Sequence, residues 1–181
     1  TRDTIHAVNP GVTVCLHPRD VTTFTPEEIE ESFRDVDLFV FATDRFRAQA
    51  FGNTIALRLH KPALYLGLYE RGEACEVAVV HPDYHHCCFR CLFPKRYLAH
   101  HDAQATGRSI DPASDGALIA DLDILDGLAA KIALSLLHAD SDKPIADLFH
   151  TLGHRQLVQM KLSPRYSFAG RDLFAERLGI A

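Results

Sequence analysis

An α/β fold with a mainly parallel sheet and helices on both faces is what this chain predicts, and three consecutive segments predict it. Asp37 to Ala42 is a nearly unbroken apolar run, the pattern of a strand covered on both faces. Arg45 to His60 follows at helical period, with Phe46, Ala50, Ile55 and Leu59 as inner-face candidates, and Lys61-Pro62 ends it. Ala63 to Leu66 is a second buried-strand run, closed by Gly67. Strand, helix and strand at these lengths make a βαβ unit.

The other elements are placed around this unit. Asn9-Pro10-Gly11 is a turn signal, and the run Val12 to Leu16 after it predicts a strand. Thr25-Pro26-Glu27-Glu28 opens a helix, with Thr25 as N-cap, Pro26 at the first position and Glu28 closing a capping box. Ile29 and Phe33 form its inner face. Ala74 to Val80 reads as a strand that His81-Pro82-Asp83 turns out of, and Lys95 to about Ser114 reads as a long polar loop. Ala117 to His138 is strongly helical, with Asp115 as its cap and Leu118, Leu122, Leu125, Leu128, Ala129, Ile132 and Leu136 as its stripe. His154 to Leu162 predicts a strand and the tail from Arg171 a short amphipathic helix.

Composition narrows the function classes. The 181 residues are 47% hydrophobic and 24% charged, a globular balance with room for one domain and a sizeable core. A net charge of -5 supplies no basic field for nucleic acid. No apolar run approaches the roughly 20 residues that span a bilayer. The chain opens Thr1-Arg2-Asp3-Thr4, without initiator Met or signal-peptide pattern, which predicts a processed or excised piece. Three of the five cysteines fall between Cys87 and Cys91, which suits metal binding better than a disulfide framework and points to a reducing, cytoplasmic setting.

Two constellations carry chemistry. Thr43-Asp44 stands at the carboxyl end of a buried strand, where open α/β sheets bind ligands. Asp44 there is either a ligand for Mg²⁺ on a nucleotide's phosphates or the N-cap of the next helix. Cys88-x-x-Cys91 has the spacing at which two thiolates reach one Zn²⁺, with His85, His86 and Cys87 at hand to complete the set. Ordinary buried thiols and a redox pair are the alternatives, although Pro94-Lys95 interrupts the helix that a redox pair normally opens. Cys15 and Cys75 read as core thiols in strands, His100-His101 as solvated, and Lys95-Arg96 as a surface pair.

Four blocks, in order, resemble the ThiF/MoeB/HesA family of ubiquitin-activating-type adenylyltransferases. They are Asn9-Pro10-x-Val12-x-Val14, Asp37-Leu38-x-Val40-x-Ala42-Thr43-Asp44, Lys61-Pro62 leading to Gly67 and Gly72-Glu73, and Cys88-Phe89-Arg90-Cys91-Leu92-Phe93-Pro94. The Leu/Ala helix from Ala117 and Met160-Lys161-Leu162 extend the resemblance over most of the chain. It implies the C-terminal portion of a doubly wound, Rossmann-like domain, taken as one unit from 1 to 181, with the family's glycine-rich nucleotide loop lying before Thr1. It also implies a homodimer that uses ATP and Mg²⁺ to adenylate the C-terminus of a ubiquitin-like or sulfur-carrier protein. Asp44 maps onto the family's metal-positioning aspartate, with Arg45 and Arg47 beside it as nucleotide contacts, and Cys88 and Cys91 map onto the zinc knuckle.

The departures are specific. Arg45 stands where the family usually has Asn, Gln49 where it usually has Arg, and no second CxxC follows Leu162. No cysteine at all lies between Phe93 and Ala181, so a thioester-forming cysteine of the crossover loop is absent. These departures keep a second expectation in view, a catalytically dead member that binds or dimerises. A nicotinamide-dependent oxidoreductase also fits the βαβ pattern, but it gives the cysteine knuckle no role.

Overall fold

The computed structural model describes residues 2–108, 116–164, 166 and 167. Helix α1 (Arg2–Val8) and a single 3₁₀ turn (Val21–Thr23) lead into α2 (Pro26–Phe33) and strand β1 (Phe39–Phe41). Helix α3 (Phe46–Arg58) crosses to β2 (Ala63–Leu68), which is followed by β3 (Ala74–Val80). Helices α4 (Phe89–Leu92), α5 (Pro94–Ala105), α6 (Ile119–Leu137) and α7 (Asp147–Leu152) precede β4 (Leu157–Lys161).

The sheet runs β1-β2-β3-β4. β1 and β2 pair in parallel across the α3 crossover, as the βαβ reading requires. The next two pairings are antiparallel. For β2 and β3 the chain length decides this: Tyr69 to Glu73 is long enough for a hairpin and far too short for a parallel crossover. The hairpin turns through Arg71 and Gly72 at positive φ, 57° and 70°. At Gly72 a Cβ would also run into the Asp121 carboxylate at the start of α6, so glycine lets that helix close onto the hairpin.

β2 and β3 are covered on both faces, and their side chains alternate between two cores. Leu64, Leu66, Cys75, Val77 and Val79 meet Leu125, Ala129, Ile132 and Leu136 of α6. Ala63, Tyr65, Ala78 and Val80 meet Ala56 of α3 and Phe89 of α4. A third cluster, Phe24, Ile29 and Ile55, fastens α2 and the 3₁₀ turn onto α3. The Thr25 capping box forms as read, with the Glu28 N–H donating to Thr25 Oγ1 and the Thr25 N–H donating to Glu28 Oε2.

Four readings are corrected. Val12 to Leu16 forms no strand; the segment lies against α1 through Arg2 to Val14 O and His6 to Val12 O, and Cys15 is exposed rather than a core thiol. β1 is shorter than its apolar run and is not covered on both faces: α6 packs chiefly over β2 and β3, which leaves Val40 50% exposed. On α6, only Leu125, Ala129, Ile132 and Leu136 of the expected stripe are fully buried, while Leu118 and Leu122 face outward.

The fourth correction concerns the polar stretch from Lys95, whose first half is helix α5. The helix begun at Phe89 ends at Leu92, just before Pro94 as read, and Pro94 then starts α5, at the first-turn position where its fixed φ helps and its missing N–H costs nothing. Phe93, Tyr97, His100 and Ala103 face inward at helical spacing. The period is hidden in the sequence because an imidazole and a methyl group occupy two of its four positions. The Asp115 cap and the tail helix from Arg171 lie outside the described residues.

Ile132 is fully buried on α6, while Leu134, two residues on, is half exposed. Ile132→Ala is expected to cost about 2–5 kcal/mol in a denaturant titration, and Leu134→Ala to stay within about 0.5 kcal/mol of the parent.

Candidate functional site

The carboxyl ends of β1 and β2 lie side by side, and the loop Ala42 to Arg45 leaves β1 there to enter α3. Arg45, not Asp44, occupies the N-cap position of α3, and no side chain caps that end of the helix. Asp44 is exposed, and among the described residues no hydrogen bond or ion pair holds its carboxylate. The capping explanation for Asp44 is therefore removed by the backbone itself. Arg45 and Arg47 are exposed beside it. Both also face Asp20 on the neighbouring 3₁₀ turn, whose carboxyl is held below its usual range, first by the Thr22 N–H and hydroxyl and then by these two guanidinium groups.

The loop is held from inside the protein by Gln49. Its Nε2 donates to Thr43 O at 2.9 Å and to Leu66 O at 2.8 Å, with the side chain buried. One turn later on the same face, Asn53 Oδ1 accepts from the Phe89 N–H at 3.1 Å and so fixes α4 against α3. Phe89 stacks on Tyr65 with ring centroids 4.1 Å apart, and Tyr65 on Phe41 at 5.1 Å. An aromatic column thus connects the cysteine segment to the end of β1. A Cβ on Gly52 would enter the Phe41 ring, so glycine is what allows α3 to lie this close to β1.

Beside the end of β2 sits a charge cluster that sequence reasoning missed. Glu76 is 3% exposed in β3, and its Oε1 accepts from Arg96 Nη1 at 2.6 Å. Its Oε2 accepts from the Tyr69 hydroxyl and from Gln159 Nε2, the latter at 3.2 Å. Arg96 also lies over the Phe93 ring at 4.2 Å. Lys95-Arg96 is therefore not a plain surface pair. The one usable signal was a glutamate inside an otherwise apolar strand, since a buried carboxylate needs a cation.

The cysteine segment brings Cys88 and Cys91 together, with their Sγ atoms 3.8 Å apart. Burial opposes ionisation of the Cys88 thiol, but hydrogen bonds with the Cys91 N–H and thiol, the Arg90 N–H and the Asn53 side chain bring it below its usual value. The expected replacement zinc ligands do not join them. His85 Nδ1 accepts from the His81 N–H at 3.1 Å, which leaves Nε2 as the protonated nitrogen, donating to Gly153 O at 3.2 Å. Both ring nitrogens are thereby spent. Cys75 is buried in β3, and among the described residues no three His, Cys, Asp or Glu side chains group as metal ligands. A closed structural zinc site takes four protein ligands, and the two thiols here do not fit that requirement.

Two measurements check this geometry. Arg96→Met should cost about 3 kcal/mol in denaturant unfolding, because it leaves Glu76 buried without its cation, and adding Glu76→Gln should recover most of the loss. Burial lowers the affinity of His81 and His85 for protons below the ordinary value of 6.5. The unfolded chain then binds more protons, so stability is complete above about pH 7 and falls as the pH drops through 6.5. Thermal melting from pH 7.5 to 5.5 should record that fall, and His85→Gln should flatten it.

Comparison with known proteins identifies relatives of this chain. A model of the ThiF family matches residues 1–160. A sulfur carrier protein adenylyltransferase of Thermus thermophilus is 33% identical over 146 residues, covering 76% of this chain and 52% of the relative. The chain thus spans about half the length of that curated relative. With the family match running from the first residue to the last strand, the chain belongs to the ThiF family.

Proposed function

We propose that the chain is the part of a ubiquitin-activating-type adenylyltransferase that carries the metal-positioning carboxylate, and that the whole protein activates the C-terminus of a sulfur-carrier or ubiquitin-like protein. The observation that carries this reading is Asp44: an exposed carboxylate without a protein partner among the described residues, at the carboxyl end of a parallel strand. The residues fit the group. A carboxylate suits Mg²⁺, and Arg45 and Arg47 supply cationic N–H donors for phosphate oxygens. MgATP, when bound, supplies the adenylyl group to the partner's terminal carboxylate.

The chain's own contribution is orientation. Gln49 ties the loop to two strand ends, so Asp44 is carried on an anchored backbone. Asp20 offsets part of the charge of Arg45 and Arg47 when no phosphate is present. Residues 1–181 contain no glycine-rich nucleotide loop, so by themselves they are proposed to be inactive. A homodimer is proposed as well, with the exposed apolar residues Leu118, Ile119 and Leu122 of α6 as support. Five unpaired cysteines suit the reducing cytoplasm, which is the proposed location.

One observation favours a second reading, a member that binds its partner without turnover. Gln49 takes the place of the family's arginine and spends its amide inside the fold, so one phosphate-facing cation is gone. The two readings separate on ATP–pyrophosphate exchange by the full-length protein. Exchange that Asp44→Ala reduces at least a hundredfold, with melting temperature unchanged, is the expected result. Exchange indifferent to Asp44 removes its assignment, and no exchange together with tight carrier-protein binding establishes the second reading.

A further inference from the structure

Cys88 and Cys91 are brought together by the start of a helix. Cys88 is the N-cap of α4, in extended conformation, and Cys91 is the third residue of its first turn. An N-cap side chain and the third residue of the turn face each other, the geometry that capping boxes use. Here that geometry sets two sulfurs 3.8 Å apart, and a bond of about 2.0 Å is reached by small rotations of the two side chains.

The surroundings make the two thiols unequal. Cys91 is exposed and open to a reagent from solvent, while Cys88 is partly buried. Among the described residues no His, Cys, Asp or Glu side chain joins the pair as a third metal ligand. The chain has no cysteine after Cys91, His85 has both ring nitrogens engaged, and Cys75 is buried in the sheet. Cys87 is the only cysteine adjacent to the pair, and it is exposed.

We propose that Cys88 and Cys91 form a reversible dithiol–disulfide site that exchanges with small-molecule disulfides, in place of half a zinc site. The steps balance as thiol–disulfide exchange. The Cys91 thiolate attacks one sulfur of the small disulfide; the S–S bond breaks and one small thiolate leaves. The Cys88 thiolate then attacks Cys91 Sγ, and the second small thiolate leaves. Two protein thiols are oxidised to one disulfide, one small disulfide is reduced to two thiols, and the two thiol protons pass to the leaving groups.

The disulfide has a mechanical consequence, because the bridged turn contains Phe89. That ring is 1% exposed and stacks on Tyr65, and its N–H is held by Asn53 of α3. Closing the bridge clamps the turn that seats Phe89 in the aromatic column. The oxidised chain is accordingly more resistant to unfolding than the reduced chain, by restriction of the unfolded state.

The test uses the purified chain, with bound zinc measured first. The reduced protein is then equilibrated in graded mixtures of reduced and oxidised glutathione, quenched with an alkylating reagent and mapped by peptide mass spectrometry. Expected is the joint loss of the Cys88 and Cys91 thiols, an internal Cys88–Cys91 link and no retained glutathione, while Cys75 stays reduced. Cys88→Ser should stop at a glutathione adduct on Cys91. One zinc per chain shielding both thiols overturns the proposal, as does a stable single adduct on Cys91 or a Cys87–Cys91 link in the unaltered protein. The unaltered protein decides these outcomes by itself, so a variant that fails to fold leaves the test intact.

Discussion

Gln49 joins three pieces of this protein through one nitrogen. It sits in α3, it reaches the carbonyl of Thr43 on the loop that leaves β1, and it reaches the carbonyl of Leu66 near the end of β2. Without it, two buried or half-buried carbonyls next to the candidate site would lack their donor, a penalty of about 1–3 kcal/mol each. The position of Asp44 rests on this staple, because the loop has only four residues between the strand and the helix. Asn53, one turn further on, does the same for the cysteine segment. A single helix face therefore sets both the carboxylate and the thiols, and the two amides replace what a larger apolar contact would otherwise supply.

The second constraint is the buried carboxylate of Glu76. It interrupts a strand that is otherwise apolar, and it is tolerated because Arg96, Tyr69 and Gln159 satisfy both oxygens. Those partners come from α5, the β2–β3 connection and β4. The network consequently sets where α5 lies against the sheet, and it brings Arg96 toward the end of β2. Gly67 opposite Glu76 leaves room for the carboxylate chain to turn, since a Cβ there would stand 3.1 Å from Glu76 Cγ.

Residues 1–160 match the ThiF family, and no second CxxC follows Leu162 in this sequence. The aromatic column from Phe89 through Tyr65 to Phe41 seats the cysteine segment against β1 and β2. Ring packing and the Asn53 hydrogen bond to the Phe89 N–H fix the position of the two thiols.

What the sequence determined by itself was whatever depends on neighbours along the chain. The Thr25 capping box, the βαβ succession and the strands at 63–66 and 74–80 follow from local spacing and continuous apolar runs, and they form, the first strand running on through Gly67 to Leu68. Asp44 was legible as a residue at a strand end, and Cys88 and Cys91 as a pair. Tertiary structure decided what depends on partners distant in sequence. The β-branched run at 12–16 has no sheet to join, so it remains outside regular structure. His85 reads as a metal ligand until Gly153, far along the chain, takes its second nitrogen. Arg96 reads as surface until Glu76 is found beneath it, and Asp44 reads as a cap until the backbone places Arg45 there. A polar side chain's role is fixed by which groups the fold leaves within hydrogen-bond reach, and that is not encoded in its immediate neighbours.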